Sequence, residues 1–403
     1  MEDKCQKKIE FNIEKHENMT FRMIAKTLFG LEEILSKELA DLGASRLKVM
    51  NRSVEFYGDK QLLYEANLWC RTATRILKPF ASFKAANENE LYHKVSNIDW
   101  EKYLTIEQTF AIDAVITKSQ FTNTLYVAQK TKDAIADQFR RKSGRRPSVE
   151  LNNPDIRINV YIYKDECRLA LDSSGQPLFK RGYRQKTGKA PLNEVLAAGI
   201  VMQSEWDKKS SFVDAMCGSG TIVIEAALLA GNIAPGLTRK QFGFMNWPDF
   251  DNDLFDSIRK KAREAALSKL DFEILAADLR EAAVYDAKDN AKAAGVVENI
   301  SFKHSAIKDL IPPEFPGVLI INPPYGERIS IKEIEELYHS IGDAFKRNFT
   351  GYDAFVFTGN LAAAKNIGLR TSRRIQMYNG SIECRLLKFE MYSGSRKSDL
   401  SAS

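Results

Sequence analysis

The second half of the chain carries six short apolar runs, SSFVDA, FEILAAD, ISFKHS, GVLIIN, DAFVFTG and ECRLLKFEMY, with helical segments between them. Runs this brief and this apolar read as buried strands, and strands alternating with helices fold as a doubly wound, largely parallel sheet. That rhythm is the tightest constraint in the sequence and assigns residues 191–392 to one α/β domain. One stretch breaks it. Residues 231–270, containing PGLTRKQFGFMNWPDFDNDLF, form an insertion between the first helix and the second strand. Long insertions at a sheet edge tend to be lids or docking surfaces.

Residues 19–75 give the order strand, helix, strand, strand, helix in FRMIAKTLFG, LEEILSKELADLG, RLKVM, SVEFYG and QLLYEANLWCRTATRIL. This suits a small α+β, ferredoxin-like layer of the split βαβ kind. The pattern restarts over 76–172, with strands at ILKPFASF and TFAIDAVIT, helices at ELYHKV and TLYVAQKTKDAIADQFRRKSG, and a hairpin about Lys164-Asp165. Residues 173–190, rich in Gly, Pro and basic side chains, read as a linker. Residues 1–18 read as a polar tail and 393–403 as a disordered one.

A hydrophobic fraction of 44% with 28% charged residues over 403 positions is a globular composition with room for several domains. Five scattered cysteines without a CxxC pair, and only four histidines, argue against a zinc site or a disulfide framework, so no metal is expected. No apolar run approaches bilayer length, and the N-terminal MEDKCQKKIEFNIEKHE lacks the apolar segment of a secretory signal. The expectation is a cytoplasmic protein without a membrane partner.

Three pieces of the second half carry chemistry. In FVDAMCGSGTIVIEAALLAG a strand ends at Asp214, a loop carries Gly218 and Gly220, and a helix begins near Thr221. Glycines let the backbone approach a ligand, and a helix N-terminus offers unpaired N–H donors, although two glycines also serve any tight βα turn. Asp278 ends the second strand, where an acid can hold ribose hydroxyls or cap the following helix, and both roles can coexist. Finally, NPPYGER leaves the apolar run Val318–Ile321 through Asn322, Pro323 and Pro324, with Tyr325 beside them. The prolines stiffen the turn and carry no N–H, so carbonyls and the Asn322 oxygen form an arc of acceptors next to a flat ring. Such an arc suits an exocyclic amino group on a planar base, stacked on Tyr325.

DAMCGSGT, the acid at the second strand tip and NPPY after the fourth strand resemble the class I S-adenosylmethionine-dependent methyltransferases that act on amino nitrogens. The fuller NPPYGER, with DSSGQPLFKRGYR, APLNEVLAAG and YNGSIECRLLKFEM, is similar to a narrower group, the THUMP-containing RNA methyltransferases, and within it to the bacterial 23S rRNA guanine-N2 enzymes. The resemblance covers roughly residues 20–392 and implies a Rossmann-like methyltransferase domain with an antiparallel last strand, preceded by a ferredoxin-like layer and a THUMP domain. It implies that Asp214, Met216, Cys217, Gly218, Ser219, Gly220 and Thr221 line the cofactor and that Asp278 takes its ribose. It also implies that Asn322, Pro323, Pro324 and Tyr325 hold the target base. Ala215 replaces the proline usual in this loop, and Ser305 stands where many relatives place an acid against the adenine. Cys217 is not read as a nucleophile, because it lies in the cofactor loop and the catalytic loop has Tyr325 where that chemistry wants cysteine.

A THUMP domain gives the basic residues a partner. Arg140, Arg141, Lys142, Arg145 and Arg146 form one cluster, and Lys180, Arg181 and Arg184 lie in a second; taken alone, such clusters more often just solvate a surface. The activity implied is methylation of a guanine N2 amino group in 23S rRNA. A tRNA guanine-N2 methyltransferase and a non-catalytic ribosome assembly factor are the alternatives.

Overall fold

The computed structural model describes residues 20–184, 192–324 and 330–391. The chain divides into two compact units, one of Met1–Thr27, Leu35–Lys180 and Arg239–Lys261, the other of Leu28–Ile34, Arg181–Thr238 and Ala262–Ser403.

The first unit is built on a seven-stranded sheet of order β2-β3-β1-β4-β7-β6-β5. Its strands are β1 (Phe21–Lys26), β2 (Ser45–Met50), β3 (Ser53–Gly58), β4 (Arg75–Lys84), β5 (Phe110–Thr117), β6 (Ile156–Tyr163) and β7 (Glu166–Asp172). All neighbours are antiparallel except β5 and β6. Helices α1 (Glu32–Asp41), α2 (Lys60–Trp69), α3 (Glu88–Ser96) and α4 (Thr124–Ser143) follow the expected order. α4 starts at Asn123, whose side chain accepts the Tyr126 amide, and stops at Gly144, which turns left-handed at φ 71°. A glycine is the residue that ends a helix this way at least cost.

The second unit contains β8 (Ser211–Asp214), β9 (Ile274–Asp278), β10 (Ser301–His304), β11 (Gly317–Ile321), β12 (Tyr352–Thr358), β13 (Arg373–Asn379) and β14 (Ile382–Glu390), in the order β10-β9-β8-β11-β12-β14-β13. The first five are parallel and β14 runs antiparallel between β12 and β13. β8, β9 and β11 are buried at every position, as strands covered on both faces must be. The unit's helices are α5 (Glu194–Gln203), α6 (Thr221–Ala230), α8 (Glu281–Ala294) and α9 (Ile331–Asn348), while α7 (Asn252–Glu264) lies mostly in the first unit. From β8 the chain steps outward to β9 and β10, then returns to the other side of β8 for β11 and β12. The order therefore reverses between β8 and β11, and open α/β sheets bind their ligands at such a reversal, outside the strands' carboxyl ends.

The insertion is not a lid. Residues Arg239–Lys261 belong to the first unit, where Phe242, Phe244, Trp247 and Phe255 are buried. The Phe244 ring stacks on Tyr64 of α2 at 4.3 Å between centroids, Phe255 meets Tyr64 edge-on at 5.6 Å, and the Tyr64 hydroxyl accepts the Asp251 amide. The stretch expected as a linker is also held firmly at its start. The buried Arg239 guanidinium donates to the carbonyl oxygens of Ser174 (3.1 Å), Gln176 (2.8 Å), Pro177 (2.9 Å) and Lys180 (2.8 Å). Four backbone acceptors around one guanidinium fix the chain more tightly than a Gly- and Pro-rich composition suggests. Truncating Phe244 to Ala should lower stability by about 3–5 kcal/mol, the usual cost of removing a fully buried ring, as read by denaturant unfolding.

Candidate cofactor and methyl-transfer site

The site is assembled from the carboxyl ends of β9, β8 and β11. After β8, the Cys217 amide donates to the Ala277 carbonyl oxygen of β9 (2.9 Å) and the Gly220 amide to the Cys217 carbonyl oxygen (2.8 Å), which closes the glycine loop. Gly218 is left-handed at φ 54°, and a Cβ there would meet nothing within 4 Å, so the backbone faces open space. Gly220 is required for a different reason. It lies at φ 83°, and a Cβ would come within 2.9 Å of the Ala287 Cβ on α8. The close fit brings the N-terminus of α6 against α8. No side chain caps α6, so its first-turn amides remain available to a ligand. Ser219 adds a further tie, its carbonyl oxygen accepting Asn290 Nδ2 at 3.0 Å.

Asp278 joins the two loops rather than capping α8. Its Oδ2 accepts the Gly218 amide and its Oδ1 the Arg280 amide, both at 2.9 Å, while Arg280, the residue flanking α8, has no side-chain cap. The Ser305 amide donates to the Asp278 carbonyl oxygen at 3.1 Å, and the Ser305 hydroxyl turns back onto the Ala306 carbonyl. Asp214 is 1% exposed, and its Oδ1 accepts only the Met216 amide, at 3.3 Å. Burial, with the negative Asp278 adding to it, pushes the Asp214 carboxyl up to about 8. Burial likewise raises the Cys217 thiol well above its ordinary value, which suits a packed loop residue and not a nucleophile.

Asn322 follows directly on β11, with Pro323 buried and Pro324 exposed. Its Oδ1 is buried and has no hydrogen-bond partner; among the described residues of the second unit, no other buried side-chain oxygen or nitrogen is left so. A buried amide oxygen without a donor is costly unless a ligand supplies one. Tyr325 lies outside the described residues.

The basic residues divide by burial. Arg181 and Arg184 are corrected by the structure: neither is presented to RNA. Arg181 is 2% exposed, with its Nε 3.2 Å from Glu225 Oε1, and the Tyr183 hydroxyl donates to the same oxygen at 2.9 Å. Arg184 pairs with Glu194 at 3.1 Å and donates to the Leu192 carbonyl and the Thr221 hydroxyl. Both arginines therefore brace α5 and α6 from within. Glu225, the partner missed by sequence reasoning, did carry a signal, for it is a lone acid inside the apolar helix TIVIEAALLA. Lys180 is exposed and donates to Gln176. In the first unit Arg140, Lys142 and Arg145 pair with Asp137, Asp99 and Glu101, and Glu107 respectively. Arg141 and Arg146 are exposed, and no acid pairs with either among the described residues. No helix among the described residues is long and apolar enough to cross a membrane.

A glycine loop open to a ligand, uncapped helix amides, an acid at the second strand tip and an orphan acceptor after the fourth fit S-adenosylmethionine and an amino-group acceptor. The fold and this site define a class I S-adenosylmethionine-dependent methyltransferase. Residues 181–388 match the RMKL-like methyltransferase domain, 85–172 the THUMP domain and 22–77 the RlmL ferredoxin-like domain. The chain belongs to the RMKL-like, THUMP-containing family of RNA methyltransferases. It is 42% identical over 364 residues to slr0064 of Synechocystis sp., provisionally named an RNA methyltransferase, with 90% of this chain and 95% of that one covered. It is 42% identical over 381 residues to the ribosomal RNA large subunit methyltransferase K/L of Methylococcus capsulatus. There it covers 93% of this chain but spans only 52% of the relative's length. The crystal structure of SMU.472, a provisionally assigned methyltransferase complexed with SAH, superposes with a TM-score of 0.84 at 33% identity, covering 94% of this chain and 100% of that one.

The buried ion pair makes a sharp test of what Arg181 does. Glu225→Ala strands a buried guanidinium and should cost about 3–5 kcal/mol in urea unfolding, whereas Arg181→Met with Glu225→Leu should cost far less.

Proposed function

We propose that the chain methylates the exocyclic N2 amino group of a guanine in RNA, with 23S rRNA as the substrate. The observation that carries this reading is the orphan Oδ1 of Asn322, which directly follows β11, the strand paired in parallel with β8. The K/L relatives are named as large-subunit rRNA methyltransferases, which supports the choice of RNA. An intact glycine loop and Asn322-Pro323-Pro324 run favour an enzyme over a non-catalytic assembly factor.

An aromatic amine is a weak nucleophile because its lone pair is delocalised into the ring. Asn322 Oδ1 and the adjoining carbonyl oxygens accept its two N–H bonds, orient the nitrogen and localise the pair. The same oxygens stabilise positive charge that develops on nitrogen, which is an oxyanion hole with the sign reversed. The bound cofactor supplies an electrophilic methyl group on a sulfonium. Asp278, fixed by the Gly218 and Arg280 amides, offers its carboxylate to ribose hydroxyls, and the α6 amides and open Gly218 backbone take the methionine end. Positioning then lowers much of the barrier. A guanine amino group in a paired stem has to leave the stack to reach this pocket.

Asn322→Ala should lower kcat by at least a hundredfold while the affinity for S-adenosylmethionine, measured by calorimetry, changes little. Activity within a few fold of wild type would remove the amino-acceptor role. Nucleoside mass spectrometry of RNA treated with the enzyme should show N2-methylguanosine, and methylated adenosine in its place would shift the substrate. Reversing Arg141 and Arg146 to Glu should weaken RNA binding and reduce the slope of log K against log salt by about 1–2, because both cations are free to meet phosphates.

A further inference from the structure

Two carboxyl groups end adjacent strands of the second unit, and their surroundings are unequal. Asp278 accepts two backbone amides at 2.9 Å and has the Arg280 guanidinium 3.5 Å from its Oδ1. Asp214, one strand over, is almost fully buried and accepts one amide at 3.3 Å; no cation pairs with it among the described residues. Among the described residues, the elements packed around it bring little to balance a charge. β9 contributes the negative Asp278, and Cys217 on the same loop is a neutral thiol. β11 is GVLII and has no ionisable group, and the acid of α6, Glu225, is already matched by Arg181. Among the described residues, the exposed cation Arg280 is engaged with Asp278.

A buried carboxylate so poorly solvated is unstable beside a second one, so at neutral pH the free protein keeps a proton on Asp214. The ligands of this site differ in charge. S-Adenosylmethionine carries a sulfonium and an ammonium against one carboxylate, and its product S-adenosylhomocysteine has lost the sulfonium charge. A cation entering the site does what the proton did, and by linkage the proton leaves.

We propose that Asp214 releases its proton to solvent when the cationic cofactor docks, and that the resulting carboxylate distinguishes the sulfonium donor from the neutral thioether product. The inference rests on Asp214 lying in the cofactor site. After methyl transfer the sulfonium is gone, Asp214 regains a proton, and the site loses part of its hold on the product. Asp214 is thus a specificity-determining residue whose effect is on ligand exchange and not on the chemical step.

Calorimetry in two buffers of different ionisation heat tests this. At pH 7 a carboxyl titrating near 8 is about nine-tenths protonated, so wild type should release about one proton more than Asp214→Asn on binding S-adenosylmethionine. With S-adenosylhomocysteine the difference should fall below about half a proton. The ligand amino group titrates alike against both proteins, so the difference isolates Asp214. Equal proton release by the two proteins, or by the two ligands, overturns the proposal. Carbon-13 spectra of aspartate-labelled wild type give the same answer if the variant does not fold. A carboxyl with a midpoint near 8 in the free protein should move below about pH 6 with saturating S-adenosylmethionine and much less with the product. A midpoint unmoved by either ligand shows that Asp214 is outside the cofactor site, and equal movement with both shows that it does not discriminate; either result overturns the proposal. Each of these outcomes leaves the Asn322 test standing on its own.

Discussion

Parallel pairing of β11 with β8 on one side and β12 on the other is the constraint on which the site depends. Strands buried on both faces have no freedom to present side chains along their length, so polar chemistry is confined to their ends. Asp278, Asp214 and Asn322 end or follow three neighbouring strands, β9, β8 and β11. At about 4.8 Å between strands the three tips span about 10 Å. That spacing matches a nucleoside-sized ligand lying across the reversal of strand order, with its two ends held by different loops.

The same side chain has opposite meanings at different depths. Arg181 and Arg141 each lie in a run of basic residues, and the sequence offers no reason to separate them. Arg181 is closed in with Glu225 and Tyr183, where losing either charge leaves the other uncompensated. Arg141 is in solvent and meets no acid among the described residues, so its charge is available to a polyanion. The neighbouring Arg140 and Lys142 already have carboxylates, but exposed pairs of this kind are weak and exchange readily for phosphate. Burial, and not residue type or clustering, decides which cations brace the fold and which face a partner.

Much of this was legible in the sequence because the governing features are local. Apolar runs such as GVLII announce buried strands, and Gly218 and Gly220 announce a loop that needs left-handed backbone. The first unit's strand and helix order was legible for the same reason. What was not legible depends on partners far away along the chain. β13, RRIQMYN, is an edge strand with mixed exposure and lacks the continuous apolar character of its neighbours. The aromatic residues of 239–261 looked like an exposed insertion because their partner, Tyr64, precedes them by roughly 180 positions in sequence. Four carbonyl acceptors for Arg239 cannot be inferred from a segment whose Gly and Pro content signals flexibility.

Polar satisfaction separates structural groups from functional ones more cleanly than charge does. Arg239, Glu225 and Asp278 are buried and each held by several partners, and their places in the fold follow from that. Asn322 Oδ1 has no partner and Asp214 has one long bond, yet both are buried, and among the described residues of the second unit no other buried side-chain oxygen or nitrogen lacks a partner. A fold bears such costs only where another molecule removes them, because each unmet acceptor or strained proton lowers the stability of the free protein. The two deficits are of different kinds: Asn322 needs a hydrogen-bond donor, and Asp214 needs a positive charge. In the proposed reaction an aromatic amine supplies the first and a sulfonium cofactor the second, and on that reading the free energy missing from the unliganded sheet is recovered when both ligands are in place.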